Sequence, residues 1–143
     1  MAMGEGGEAR LDDSAKPLRL SFPARTDQVA TARHAVAEFG REAGLDREAL
    51  HDLETIVTEA CMNSAAHAYS DQDGRIELAA DVRGDEVAVV VRDHGVGIIP
   101  RPAPMANHRL GLVLIAALAS HLEIRSRAGE GTELRVTLRA GSA

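Results

Sequence analysis

The chain reads as an α+β domain, a two-layer sandwich with helices on one face of a mixed, mostly antiparallel sheet. Three observations predict this. Two long segments of helical period follow one another between residues 26 and 68. Five short segments instead alternate apolar and polar residues, the period of a half-buried strand. Four of those five form two pairs joined by short turns, Arg83-Gly84-Asp85 and Ala128-Gly129-Glu130-Gly131, and so short a link makes a pair antiparallel. The order β-α-α-β-β-α-β-β leaves the helices one layer to occupy and the strands another.

Each element has a local reason. Residues 1 to about 16 are polar, charged and poor in apolar side chains, the composition of a disordered acidic tail. Pro17 to Phe22 alternates as a first strand, and Pro23 closes it. Thr26 is a candidate cap for a helix to about Ala43 whose one face carries Val29, Ala32, Val36, Phe39 and Ala43, and Gly44 stops it. Asp46 starts a longer helix to about Ala68 with the stripe Leu50, Leu53, Ile56, Val57, Ala60, Cys61 and Ser64. Strands follow at Arg75 to Val82 and Glu86 to Arg92. The Arg-Gly-Asp between them matches a cell-adhesion word, but its glycine sits where the alternation breaks, as a hairpin turn requires. A Pro-rich loop spans Ile98 to His108, a third helix runs from about Leu110 to Ser120, and the last strands are Leu122 to Arg127 and Thr132 to Leu138. The domain is thus expected over residues 17–139, with a short tail over 140–143.

Composition narrows the chemistry. At 143 residues the chain has room for one core, and with 25 Ala and only Phe22, Phe39 and Tyr69 as aromatics that core is aliphatic. Of 16 basic residues 15 are Arg; the single lysine, Lys16, falls in the expected tail. No lysine is left to complete a phosphate loop, to serve on a protein-kinase third strand or to form a Schiff base. A net charge of −6 without aromatic stacking platforms argues against direct nucleic-acid binding. A lone Cys61 excludes an internal disulfide and a cysteine metal cluster. No apolar run is long enough for a membrane span, and the Gly-rich acidic start is unlike a signal peptide, so the expected compartment is the cytoplasm.

Four local patterns carry possible chemistry. Glu59, Asn63 and His67 recur at i, i+4 spacing and form one ridge at the rim of the second helix's apolar stripe. A carboxylate one turn from an amide suits a metal-bound phosphate, because Mg²⁺ keeps waters and takes most of its remaining ligands from the phosphates themselves. Asn63 would then anchor the metal and Glu59 accept a proton; the pair fits a solvated polar face as well. Asp93-His94-Gly95-Val96-Gly97 follows an apolar strand. An acceptor-only carboxylate at that point can read the exocyclic amine of adenine, and the glycines let backbone approach a flat ligand. Strand-to-loop turns share the same pattern. Leu110-Gly111-Leu112 opens the third helix, either a lysine-free phosphate cradle or a plain loop-helix junction. Gly131-Thr132 leads into the last strand, where Thr132 can offer a hydroxyl to a purine or simply follow a tight hairpin.

The order of these patterns resembles the nucleotide-binding fold shared by gyrase, Hsp90, histidine kinases and mismatch-repair ATPases, the Bergerat ATP-binding fold. The local words are similar to one branch, the anti-sigma-factor serine/threonine kinases of bacterial partner-switching systems: Glu59-Ala60-Cys61-Met62-Asn63-Ser64-Ala65-Ala66-His67-Ala68-Tyr69, Val91 to Gly97, Leu110 to Ala119 and Gly131-Thr132-Glu133-Leu134. The resemblance covers about residues 17 to 139. It implies Glu59 as general base, Asn63 as Mg²⁺ ligand, Asp93, Gly95, Gly97 and Thr132 around adenine, and Gly111 with Leu112 at the phosphates. His67 matches the pattern too, either as a structural residue or as one that supports the site's ligands from behind. One departure stands out: relatives carry further glycines before the Gly-Leu pair, where this chain has Asn107-His108-Arg109-Leu110. Those side chains would crowd the triphosphate, or Arg109 would replace a backbone contact with a charge-assisted one.

The resemblance implies an ATP- and Mg²⁺-dependent kinase that phosphorylates an anti-sigma-factor antagonist, sequesters a sigma factor and works as a homodimer. The alternative is a nucleotide-gated regulator that binds its partner without transferring phosphate. A histidine kinase catalytic domain ranks below both, since it would need a separate chain to bear the phosphoacceptor histidine.

Overall fold

A computed structural model describes residues 11–67, 74–94, 106–127 and 129–140, the side chains of 66, 67 and 106–110 excepted. Strand β1 is Leu18–Pro23, helix α1 Val29–Ala43, helix α2 Arg47–His67, β2 Arg75–Arg83, β3 Glu86–Asp93, α3 Ala106–Leu118, β4 His121–Arg127 and β5 Gly131–Arg139. The sheet order is β1-β2-β3-β5-β4, so β5 inserts between its hairpin partner and β3. Each described pair is antiparallel, including β1 with β2 and β3 with β5, and the expected mixed sheet becomes an antiparallel one among the described residues.

Period two decides which face is buried. Leu78, Val91, Leu134 and Ile124 lie in one cross-strand row, and all but the edge residue Ile124 are buried beneath the helices. The next row, Glu77, Arg92, Glu133 and Arg125, lies on the opposite, open face. There Arg92 and Arg135 both pair with Glu133, and their hydrogen bonds, that of Arg135 foremost, hold the Glu133 carboxyl below its ordinary range. Such exposed pairs stabilise weakly. Stability comes from the covered face, where Leu53, Ile56, Val57 and Ala60 of α2 meet Ile76, Leu78, Val89 and Val136 of the sheet; burying each larger aliphatic side chain is worth about 1.5–3 kcal/mol.

Helix α2 lies between α1 and α3 and touches the sheet along its length. It therefore carries Cys61 into the core, where burial pushes the thiol up to about 12. A thiol held neutral in this way is no nucleophile. Helix α1 ends as expected, on Gly44 with φ 96°, whose N–H caps the carbonyls of Gly40 and Arg41. Asp46 accepts the N–H of Ala49 at 2.8 Å and starts α2.

Apart from shifts of a residue or two at element ends, and Ala140 of the expected C-terminal tail lying buried in the core, three features differ from the sequence reading. Thr26 does not cap α1: residues Thr26–Gln28 form a 3₁₀ turn, and no side chain caps either helical start. The end of the predicted tail, residues 11–16, is tied to the domain at its start, with Leu11 buried in the core and the Asp12 N–H donating to Ala43 O. One leucine among charged residues is enough to tether that stretch. Helix α3 begins at Ala106, four residues before the expected start. The remainder of the predicted tail and most of the Pro-rich loop fall outside the described residues.

Candidate functional site

The site is built along α2. Glu59 and Asn63 stand one turn apart and are half-buried, on the side of the helix that α3 crosses. The crossing is close because α3 presents a glycine there. A Cβ on Gly111 would lie 2.8 Å from Glu59 Oε1 and 3.4 Å from Asn63 Oδ1. The backbone of α3 thus rests against both candidate catalytic groups, and a side chain at that position would fit only with the end of Glu59 moved aside.

The residue after Asn63 ties α2 to the sheet. Ser64 is buried, and its hydroxyl donates to Asp93 Oδ2 at 2.8 Å. Asp93 is the last residue of β3 and is 4% exposed, rare for a carboxylate. Its other oxygen, Oδ1, accepts the N–H of Thr132 at 3.2 Å from the neighbouring strand. Thr132 Oγ1 in turn lies 3.2 Å from Ser126 Oγ on β4. A cleft of about 300 Å³ opens at this end of the sheet, lined by Asp93, Ser126 and Thr132 with Arg92, Arg125 and Arg127. Gly131 makes the β3–β5 approach possible: with φ +95° it passes so near that a Cβ would sit 2.1 Å from the Asp93 carbonyl oxygen. Gly111, Glu59, Asn63, Ser64, Asp93 and Thr132 therefore form one chain of contacts through α3, α2, β3 and β5.

A carboxylate on the central helix, an amide one turn on, and a buried aspartate at the third strand's end occur here in the order the sequence suggested. The family model for the histidine kinase-like ATPase domain matches residues 22–138, nearly the whole described fold. The chain belongs to that family. Among relatives of this ATPase domain is the anti-sigma F factor of a Thermoanaerobacter species, 30% identical over 135 residues, covering 87% of this chain and 94% of the relative. The anti-sigma F factor of Clostridium kluyveri is 24% identical over 127 residues, covering 82% and 89%. The crystal structure of the RsbU and RsbW domains of Rv1364c from Mycobacterium tuberculosis superposes with a TM-score of 0.70 at 28% identity, over 87% of this chain and 32% of that longer one.

Other expected residues of the ATPase domain fare differently. Gly95 and Gly97 lie outside the described residues, as do the side chains of His67 and Arg109. Leu112 turns its side chain partly onto the hydrophobic core. Gly111 is not at a helix start. It is the sixth residue of α3, so its N–H belongs to the helical ladder, and the N–H groups that the ladder leaves over are those at the start of the first turn. Gly111 packs there against Glu59 and Asn63. Ser64 is the contact to Asp93 that sequence reasoning missed; the available signal was a hydroxyl inside an otherwise apolar stripe, which must find a buried partner.

Asn63 offers one amide oxygen at this site, a ligand type that a phosphate-bound Mg²⁺ accepts. Among the described residues no group of three or more His, Cys, Asp or Glu side chains could hold an ion by itself. No described helix is long and apolar enough to cross a membrane.

Proposed function

We propose that this ATPase domain binds Mg·ATP, transfers the γ-phosphoryl group to a serine or threonine of an anti-sigma-factor antagonist, and sequesters a sigma factor when that antagonist is already phosphorylated. The observation that carries the reading is the Asp93 clamp. A buried carboxylate at the end of β3, held by Ser64 and the Thr132 backbone, is a fixed hydrogen-bond acceptor, and it is joined through Ser64 to the helix that bears Glu59 and Asn63. The relatives named anti-sigma F factor direct the choice of partners.

In this reading the adenine amine donates to Asp93, Thr132 supports the base, and Gly95 and Gly97 line its pocket. Asn63 Oδ1 is the protein's ligand to Mg²⁺, which when bound neutralises phosphate charge. Glu59 accepts the proton of the attacking hydroxyl as its oxygen bonds to the γ-phosphorus, while the bond from that phosphorus to the bridging oxygen breaks and ADP leaves with the electron pair. Arg109 and the first turn of α3 are placed in sequence to receive the phosphates. The chain is expected to work as a homodimer in the cytoplasm, and light scattering on the purified protein reads the first of these directly.

Calorimetric titration with ATP and ADP, with and without Mg²⁺, is the first test. The native chain should bind both nucleotides. Asp93→Asn should weaken ATP at least about tenfold while the fold melts within a few degrees of native, because an amide offers a donor where an acceptor is needed. No binding by the native chain would end the nucleotide reading. Unchanged affinity in the variant would remove Asp93 from the site.

The Gly111 contact favours a second reading, a nucleotide-gated regulator without transfer, since α3 lies directly against Glu59. Incubation with the cognate antagonist and labelled ATP separates the two: a regulator binds ATP and leaves the antagonist unlabelled. The same contact gives a prediction for the kinase. In Gly111→Ala the new methyl meets the far end of the Glu59 side chain, which can swing aside, so folding survives while the base is displaced. Transfer should fall roughly 10- to 100-fold, the usual cost of an ångström-scale misplacement. A parental rate would show that Glu59 does not act from this position.

A further inference from the structure

Each edge strand of the sheet has one partner among the described residues: β1 pairs with β2, and β4 with β5. The two edges differ. Strand β1 is preceded by Pro17 and ends on Pro23, residues that discourage further pairing. Strand β4 holds neither proline nor lysine and is exposed at every position but Leu122. The Ala140 N–H donates to Asp85 O, which fixes the phase of the β3–β5 ladder. Alternation along β5 then turns the backbone groups of Glu133 and Arg135 toward Arg125 and Glu123 of β4. It leaves the N–H and C=O of Leu122, Ile124 and Ser126 directed outward. The side chains add a pattern. On the open face the row Glu77, Arg92, Glu133, Arg125 alternates in sign and stops at the edge on a cation. On the covered face the apolar row Leu78, Val91, Leu134 stops on Ile124, 42% exposed.

We propose that β4 is the edge through which two copies of this chain pair, antiparallel about a two-fold axis at Ile124, so that the five-stranded sheet continues into a second copy. The stretch His121-Leu122-Glu123-Ile124-Arg125-Ser126-Arg127 is its own complement in that register. Ile124 faces Ile124 of the partner subunit, and Glu123 faces the partner's Arg125, twice over by symmetry. The Ile124 pair and the two pairs of Leu122 with Ser126 exchange backbone hydrogen bonds. Glu123 and Arg125 fall at the alternate positions, where opposed side chains come closest. Arg125 thereby meets the anion that comes next in the row Glu77, Arg92, Glu133, and Ile124 is covered. Within one chain Arg125 approaches Glu123 of its own strand at 3.4 Å, an exposed and weak pair. Moving the axis one residue either way sets Glu123 against the partner's Glu123, or Arg125 against the partner's Arg125, so charge fixes the register. Helix α3, which adjoins β4, carries no charged residue from Gly111 to Ala119 and offers a second copy no like charge. The inference rests on the homodimer expected above and gives it an interface; it is independent of the nucleotide reading. One strand pair is a small contact, so the dimer should be reversible and its share should rise with concentration.

The test is a charge-swap series read as mass by light scattering, 15.2 kDa for one chain and twice that for a pair. The native chain should move toward the dimer as its concentration rises. Glu123→Arg sets Arg against Arg across the axis, and Arg125→Glu sets Glu against Glu. Each variant alone should therefore lose the dimer, its dissociation constant raised about tenfold or more. Mixed in equal amounts, the two should pair with each other, because every Arg then faces a Glu. The double variant Glu123→Arg/Arg125→Glu should pair with itself. Both positions are exposed, and thermal melts establish that the variants fold. Should a single variant not fold, Ile124→Lys, which sets two cations on the axis itself, is held to the same loss. A native dimer that persists in every variant overturns this assignment alone and leaves the homodimer standing. Single variants that separate but do not pair when mixed overturn the register, and the assignment with it. A native chain that stays monomeric at every concentration ends both, and leaves the edge to an extended segment of another protein.

Discussion

Glu59→Ala is expected to lower phosphoryl transfer to the antagonist by about 10²- to 10⁴-fold, the range for loss of a general base, while ADP affinity stays within about twofold of native. The separation follows from geometry. Glu59 lies one turn from Asn63 and on the opposite side of it from Ser64 and Asp93 along the helix, so its removal leaves the proposed base-reading contacts untouched. The substitution is also gentle on the fold. Glu59 is only half-buried, alanine favours the helix, and truncation relieves the tight approach of Gly111. Glu59→Gln sharpens the test, because it keeps the shape and the packing against α3 yet cannot take a proton. Both variants should bind ADP and both should fail to label the antagonist. Parental transfer by either one would remove Glu59 from the reaction, whereas loss of ADP binding would mean that Glu59 holds the site together instead of acting in it.

What could be read from the sequence was what is decided locally. The Gly44 stop, the Asp46 start and the hairpin at Arg83-Gly84-Asp85 each depend on a few neighbouring residues, and each forms where the pattern put it. Asp93 at a strand end and the Glu59–Asn63 ridge were legible for the same reason, as offsets along one element. Strand order was not, since nothing local says that β5 slips between β3 and β4. Nor was the reach of α3: the Pro-rich stretch hid the turn from Ala106, and with it the true setting of Gly111. Ser64 was lost to periodicity itself. A serine in the stripe of Leu53, Ile56, Val57, Ala60 and Cys61 counts as a small residue at a buried position, and its partner lies 29 residues away on another element. Leu11 was lost to composition, one apolar side chain averaged over an acidic stretch.

The largest expected effect on stability lies at Gly131. Gly131→Ala should destabilise the fold by about 3 kcal/mol or more, which for a domain of this size lowers the melting midpoint by about 10 °C. Two costs coincide. At φ +95° an L side chain is strained whatever the space around it, a cost of order 1–3 kcal/mol. In addition, the new methyl would stand 2.1 Å from the Asp93 carbonyl oxygen and 2.7 Å from His94 Cα, and these are backbone atoms that cannot swing aside. The strand pair must part, and Asp93 pairs with Thr132, the very next residue. The clamp on the carboxylate therefore loosens with the sheet, and ATP affinity should fall together with stability. Gly129, two residues earlier in the same turn, is the internal control: its φ is +82°, but a Cβ there meets nothing within 4 Å. Gly129→Ala should carry the conformational cost alone, on the order of 1 kcal/mol, and leave nucleotide affinity unchanged. The difference between the two variants, read by denaturant titration and by calorimetry, isolates what the contact between β5 and Asp93 contributes. Equal destabilisation by both would mean that the close approach of Gly131 to Asp93 does not govern the site.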